Sequence, residues 1–241
     1  MSQMWAHQIK GVQLSLNIRD VGLLFEQGAG KTRTMIEILR RKYAYSERVM
    51  RTLIIAPAIV HTNWKREFKV YSKIKQEDII ILYGTGKERF NTLVKALHAN
   101  PNRIVIMNYE TTQMPSIMEI LLEWSPEILV CDESQRLKNP ESKRAKQVAK
   151  LADLTQHNYI LTGTPILNRA LDIFMQYRIL DRGLTFGKNF FAFRGAYFID
   201  ENASFKSKAN YFPKWKENPL TYEALHNKIM SKSLRVTKAE T

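Results

Sequence analysis

Cysteine is all but absent from this chain: Cys131 stands alone, which excludes an internal disulfide framework and points to a reducing compartment. Long apolar runs are missing too. None approaches the roughly 18 residues a membrane span needs, and the opening "MSQMWAHQIK" has no signal-peptide core. A soluble, intracellular protein without a membrane partner is expected. His7, His61, His98, His157 and His226 are scattered without i, i+3 or i+4 spacing, so no zinc site is expected either. Internal repeats and low-complexity tracts are also lacking, and a hydrophobic content of 44% in 241 residues supports one sizeable core.

Positive charge is abundant. Lysine and arginine number 37 against 23 acidic residues, a net +14 that favours a polyanionic partner, nucleic acid first.

Short apolar runs recur: "VGLLF" (21–25), "TLIIA" (52–56), "DIIILY" (78–83), "RIVIMN" (103–108), "EILVCDE" (127–133) and "NYILTG" (158–163). Runs without polar alternation are strands of a sheet covered on both faces. Between them lie amphipathic stretches, as in "KTRTMIEILRRKYAY", where Met35, Ile36 and Leu39 share one face. Alternating strand and helix predicts an α/β fold with a parallel sheet. The rhythm fails after about residue 183, where an aromatic, basic segment reads as a small lobe followed by a helix near 220–232.

The first strand runs into "EQGAGKT". Gly28 and Gly30 allow backbone conformations in which consecutive N–H groups face phosphate oxygens, and a helix beginning near Lys31 adds its positive end. Lys31 would reach the β- and γ-phosphates and Thr32 would ligate Mg²⁺. The strict phosphate-loop pattern wants glycine where Phe25 stands. Near the end of a later strand come Asp132 and Glu133, at the carboxyl edge where open α/β sheets bind ligands. Asp132 would hold Mg²⁺ and Glu133 would polarise the attacking water.

"LLFEQGAGKT", "LVCDESQRLKN" and "YILTGTPILN", in that order, resemble motifs I, II and III of superfamily two helicases, most closely the Swi/Snf-type DNA translocases. The resemblance implies a RecA-like P-loop domain over residues 1–182, its parallel sheet flanked by helices on both faces. An aromatic and basic lobe with a linker would occupy 183–241. It implies ATP and Mg²⁺ as cofactors, with Gln8, Glu26, Gln27, Gly28, Ala29, Gly30, Lys31, Thr32 and Arg33 at the nucleotide. Gln8, in "AHQIKGV", would read the adenine edge. Lys31, Asp132 and Glu133 would serve catalysis, while Thr162, Gly163 and Thr164 would couple nucleotide state to DNA contacts. "LIIAPAIVHTNWKREF" resembles motif Ia, with Pro57, Trp64 and Glu67 in the family's positions, and "SLRVTK" resembles the segment closing the first motor domain.

Two departures stand out. Phe25 replaces a common acidic residue, and Ser134 and Gln135 replace alanine and histidine after the acidic pair; glutamine cannot change charge as histidine can, so a different coupling between hydrolysis and motif III is expected. Such motors track the phosphate backbone of duplex DNA without sequence preference. Thr62, Asn63, Lys65 and Lys138 are the candidate DNA contacts. Arg144 and Arg169 are candidates for phosphate contact or for solvated helix faces.

The aromatics Phe190, Phe191, Phe193, Tyr197, Phe198, Tyr211, Phe212 and Trp215 could stack on bases or form a lobe core. Met107, Met114 and Met118 read as core filler. The family completes its site with arginines from a second RecA-like domain, supplied in cis or in trans, and a monomer of this chain is expected to bind ATP but turn it over slowly. Two other readings stand beside the translocase: a strand-separating or restriction-type helicase motor, and a non-catalytic DNA-binding module with an ATP switch.

Overall fold

The computed structural model describes residues 3–163, 170–205 and 211–240. Seven strands form one sheet: β1 (Val21–Phe25), β2 (Thr52–Ile55), β3 (Ile79–Ile81), β4 (Ile104–Met107), β5 (Ile128–Asp132), β6 (His157–Leu161) and β9 (Ser233–Val236). Their order is β3-β4-β2-β5-β6-β1-β9, and each neighbouring pair is parallel. Five of the six apolar runs contain one of these strands whole, and the sixth holds all of β6 but His157.

Successive residues of a strand point to opposite faces, and here both faces are dry. On β5, Leu129 and Cys131 join one core while Ile128 and Val130 join the other. One core packs under α1 (Ala6–Asn17), α2 (Lys31–Ser46) and α3 (His61–Tyr71), through residues such as Val12, Met35, Leu39, Trp64 and Phe68. The opposite core is covered by α4 (Gly86–Ala99), α5 (Pro115–Trp124), α6 (Lys143–Leu154) and α7 (Ile173–Asp181), through Leu93, Leu121, Val148 and Ile179 among others. Each fully buried aliphatic chain contributes roughly 1.5–3 kcal/mol. The expected helix-covered parallel sheet is what the chain builds.

Beyond residue 183 the chain leaves the sheet and returns to it. Helix α8 (Phe190–Tyr197), an antiparallel hairpin of β7 (Phe198–Asp200) and β8 (Trp215–Glu217), and α9 (Tyr222–Met230) lead into β9. Strand β9 lies against β1, and a Cβ on Gly22 would stand 2.3 Å from the Ser233 hydroxyl, so a side chain there would push that hydroxyl off its bond with Tyr177. "SLRV" is thus the edge strand of the main sheet, not only a basic segment at its end.

Phe193 and Phe198 are buried, and the rings of Phe186, Phe193, Tyr197 and Phe198 pack edge to face or tilted within 6 Å, reaching Phe174 on α7. They form the lobe's core, whereas Phe191 and Phe212 are exposed. Met107 and Met118 are buried and Met114 packs against the same core, as filler. Among the described residues no helix is long and apolar enough to cross a membrane.

Candidate active site

The strand order sets the site. β6 lies between β1 and β5, so the ends of three adjacent strands bring together the phosphate loop, Thr162–Gly163 and the Asp132–Glu133 pair. After Phe25 the backbone turns through Gly28 and Gly30 at φ 89° and 78°, values that cost other residues about 1–2 kcal/mol. Helix α2 then begins at Lys31, with Gly30 as its cap. A Cβ on Gly28 would meet nothing within 4 Å, so glycine is set here by its positive φ and not by lack of space. A Cβ on Gly30 would stand 2.1 Å from Gln8 Nε2.

Gln8 is buried beside the loop, and its Oε1 accepts the Trp5 N–H at 3.0 Å. His7 Nε2 lies 2.8 Å from the Ala29 carbonyl. Lys31 Nζ donates to Phe25 O at 3.0 Å and lies 3.5 Å from Glu26 O. Its ammonium therefore crosses the loop, and a Cβ on Gly163 would come within 3.2 Å of it. Glu26 accepts the Lys238 N–H at 2.9 Å, pinning the loop to the segment after β9. Gln27 is exposed, and Thr32 is half-buried on the first turn of α2. The Arg33 guanidinium sits 3.7 Å over the Tyr71 ring.

Asp132 is buried at the end of β5. Its Oδ2 accepts the Trp64 indole N–H at 2.9 Å and its Oδ1 the Glu133 N–H at 3.0 Å. Its pKa is pushed up to about 6: loss of hydration and the neighbouring Glu133 charge raise it, against the Trp64 hydrogen bond and Lys31. The Tyr109 hydroxyl donates to the Asp132 carbonyl at 2.7 Å. Glu133 adopts φ 50°, in the left-handed region that favours glycine. Its Oε2 accepts from Gln135 Nε2 at 2.7 Å, and Gln135 Oε1 accepts from the Thr162 hydroxyl at 2.8 Å. One amide thereby links motif II to motif III.

The remaining candidates fall elsewhere. Thr62, Asn63 and Lys65 occupy the first turns of α3: Thr62 touches the Tyr83 hydroxyl at 3.1 Å, Asn63 bonds Glu67 and Arg66, and Lys65 donates to Ile79 O at 3.3 Å. Lys138 follows β5 and pairs with Asp172 at 3.2 Å. Arg144 pairs with Glu110 at 3.1 Å, its guanidinium 5.9 Å from the centre of the Tyr109 ring. Thr164 and Arg169 lie outside the described residues. The contacts of Trp64 and Tyr109 with Asp132 are not legible in the sequence, because they form between residues 68 and 23 apart.

A family profile for the SNF2-related domain matches residues 7–240. The chain belongs to that family.

This SNF2-related domain is 28% identical over 196 residues to the SWI/SNF-related matrix-associated actin-dependent regulator of chromatin subfamily A-like protein 1 homolog of Caenorhabditis elegans, covering 80% of this chain and 26% of that protein. To the TATA-binding protein-associated factor MOT1 of Saccharomyces cerevisiae it is 27% identical over 226 residues, covering 89% and 12%. A solved SWI2/SNF2 ATPase core of Sulfolobus solfataricus, in complex with dsDNA, has the same fold, with a TM-score of 0.74 at 22% identity, covering 98% of this chain and 45% of that one. The chain thus spans less than half the length of each.

The SNF2-related residues fit a magnesium nucleotide. The glycine turn that leads into helix α2, the Lys31 ammonium and the Asp132 carboxylate at the end of β5, one strand beyond β6, supply donors for phosphate and oxygen for a hard cation. No group of three or more His, Cys, Asp or Glu forms a metal cage among the described residues. Such a cation is held chiefly by one or two protein oxygens and the phosphates themselves.

Proposed function

We propose that this domain is the ATP-binding half of a DNA-dependent ATPase that couples hydrolysis to translocation on, or remodelling of, duplex DNA. The observation that carries the reading is the convergence of Lys31, Asp132, Glu133 and Thr162 at three adjacent strand ends, with Gln135 joining the last two.

In this reading the N–H groups of residues 28–32 and the Lys31 ammonium bind the phosphates, Gln8 faces the base, and Thr32 and Asp132 hold Mg²⁺. Glu26, Gln27, Ala29 and Arg33 shape the approach. Magnesium neutralises charge on the phosphates. Glu133 accepts a hydrogen bond from the attacking water while Gln135 fixes its carboxylate. Thr162, bonded to the same amide, conveys the state of Glu133 along the segment that follows β6. Gly163 and Thr164 belong to that segment.

Thr62, Asn63, Lys65 and Lys138 contact the DNA backbone without reading sequence. A second RecA-like domain, in cis or in trans, completes the site with arginines. The DNA-bound archaeal ATPase core of the same fold supports a duplex partner.

Nucleotide binding by the Lys31→Ala variant tests the reading. Losing a charge-assisted phosphate contact is expected to weaken ATP binding by about a hundredfold, on the order of 2–3 kcal/mol. Unchanged affinity would remove the phosphate-loop assignment.

A further inference from the structure

We propose that Trp64 is a positioning residue for the metal ligand Asp132 and that helix α3 is thereby part of the magnesium site; the proposal rests on the ATPase reading above. Trp64 is fully buried, yet its one polar atom is spent on the Asp132 carboxylate, at 2.9 Å. The other carboxylate oxygen takes the Glu133 N–H, so two donors on different segments fix the rotation of the group. The Tyr109 hydroxyl fixes the carbonyl of the same residue.

The choice of indole has a chemical reason. A buried carboxylate needs donors, but a lysine or arginine at this place would cancel the negative charge a cation requires. The indole N–H donates, never accepts, and carries no charge, so it favours the ionised carboxylate and leaves its charge for the metal. Groups that orient a metal ligand in this way typically change metal affinity 10- to 100-fold when removed.

The helix that carries Trp64 is itself anchored. The Trp64 and Phe68 rings pack 5.9 Å apart in the core, and Arg33, on the phosphate-loop helix, stacks on Tyr71 at the far end of α3. Helix α3 therefore touches the phosphate-loop helix at one end and the metal ligand near the other. Its first turns also present Thr62, Asn63 and Lys65.

Binding of a fluorescent ATP analogue, titrated with Mg²⁺, tests this with the full chain. In Trp64→Phe, which keeps a buried ring but loses the N–H, affinity without Mg²⁺ is expected to stay within about twofold, while the Mg²⁺ needed for half-maximal tightening rises about tenfold. Asp132→Asn is expected to lose the tightening, and the double variant to behave as Asp132→Asn alone. An unchanged Mg²⁺ midpoint in Trp64→Phe overturns the proposal and leaves the ATPase reading standing. A wild-type chain whose nucleotide binding ignores Mg²⁺ overturns both.

Should Trp64→Phe fail to fold, the indole N–H resonances of the four tryptophans decide. The resonance displaced by Asp132→Asn is expected to move when Mg²⁺ joins the nucleotide-bound wild type. A stationary resonance overturns the proposal.

Discussion

Gln135 shows how much one side chain can decide. An amide has a donor end and an acceptor end, and here both are committed: Nε2 to Glu133 and Oε1 to Thr162. The amide itself does not titrate, so neither end of the link depends on its protonation. Truncating it frees Glu133 to swing but leaves the phosphate loop untouched. Gln135→Ala is expected to slow hydrolysis about tenfold, roughly 1.4 kcal/mol of barrier, with nucleotide affinity changed less than about twofold. Steady-state turnover and equilibrium binding, measured side by side, check the split.

Lys31, Asp132 and Glu133 could be placed from the sequence because each lies at the end of its strand or at the start of the helix after it, so local order implies spatial place. The Gln135–Thr162 and Trp64–Asp132 bonds could not, since each joins segments that only the sheet order brings together.

At the scale of elements, apolar runs revealed the buried strands, for β1, β2, β4 and β5 are buried along their whole length. Strand β9 carries no such signal, because it is an edge strand with Leu234 and Arg235 on its more open positions.

The amino-terminal ends of the central strands have a clasp of their own, which the runs do not reveal either. Glu127, just before β5, takes both arms of the Arg48 guanidinium at 2.5 and 2.8 Å and the Arg51 N–H at 2.9 Å, while its carbonyl accepts from the amides that open β6. Arg48 holds the Glu127 carboxyl below its usual value near 4.5, against the effect of burial. A carboxylate with a lowered folded pKa stabilises above its unfolded value and loses that contribution as pH falls through the folded one. Glu127→Gln is therefore expected to cost about 2 kcal/mol at neutral pH, or roughly 4–8 °C in Tm, with the deficit shrinking in acid. Thermal melts at pH 7 and pH 3 should diverge and converge accordingly; equal deficits at both would place the effect in packing.

For the whole molecule, the proposed reading assigns to this domain one half of an ATPase site, the half that binds the phosphates. Arginines supplied to the transferring phosphoryl group are worth about 10³–10⁵ in rate, and in the proposed reading they come from a second RecA-like domain. DNA-stimulated turnover by this chain is expected to stay near its basal level and to rise when that domain is supplied; vigorous stimulated turnover by the monomer would contradict the division of labour.

Affinity for DNA should need no such completion, since it rests on charge already present. With a net +14, binding is driven by release of counterions from phosphates, so log K falls linearly with log salt, by about 0.9 per phosphate contact. Four contacts, from residues such as Lys65, Lys138 and their neighbours, would give a slope near −4, or roughly a hundredfold weakening between 50 and 200 mM salt. Two duplexes of unrelated sequence should give superimposable lines. A flat titration would remove the backbone-tracking reading, and a strong preference for one sequence would replace it with base readout, which the candidate contacts are not built to perform.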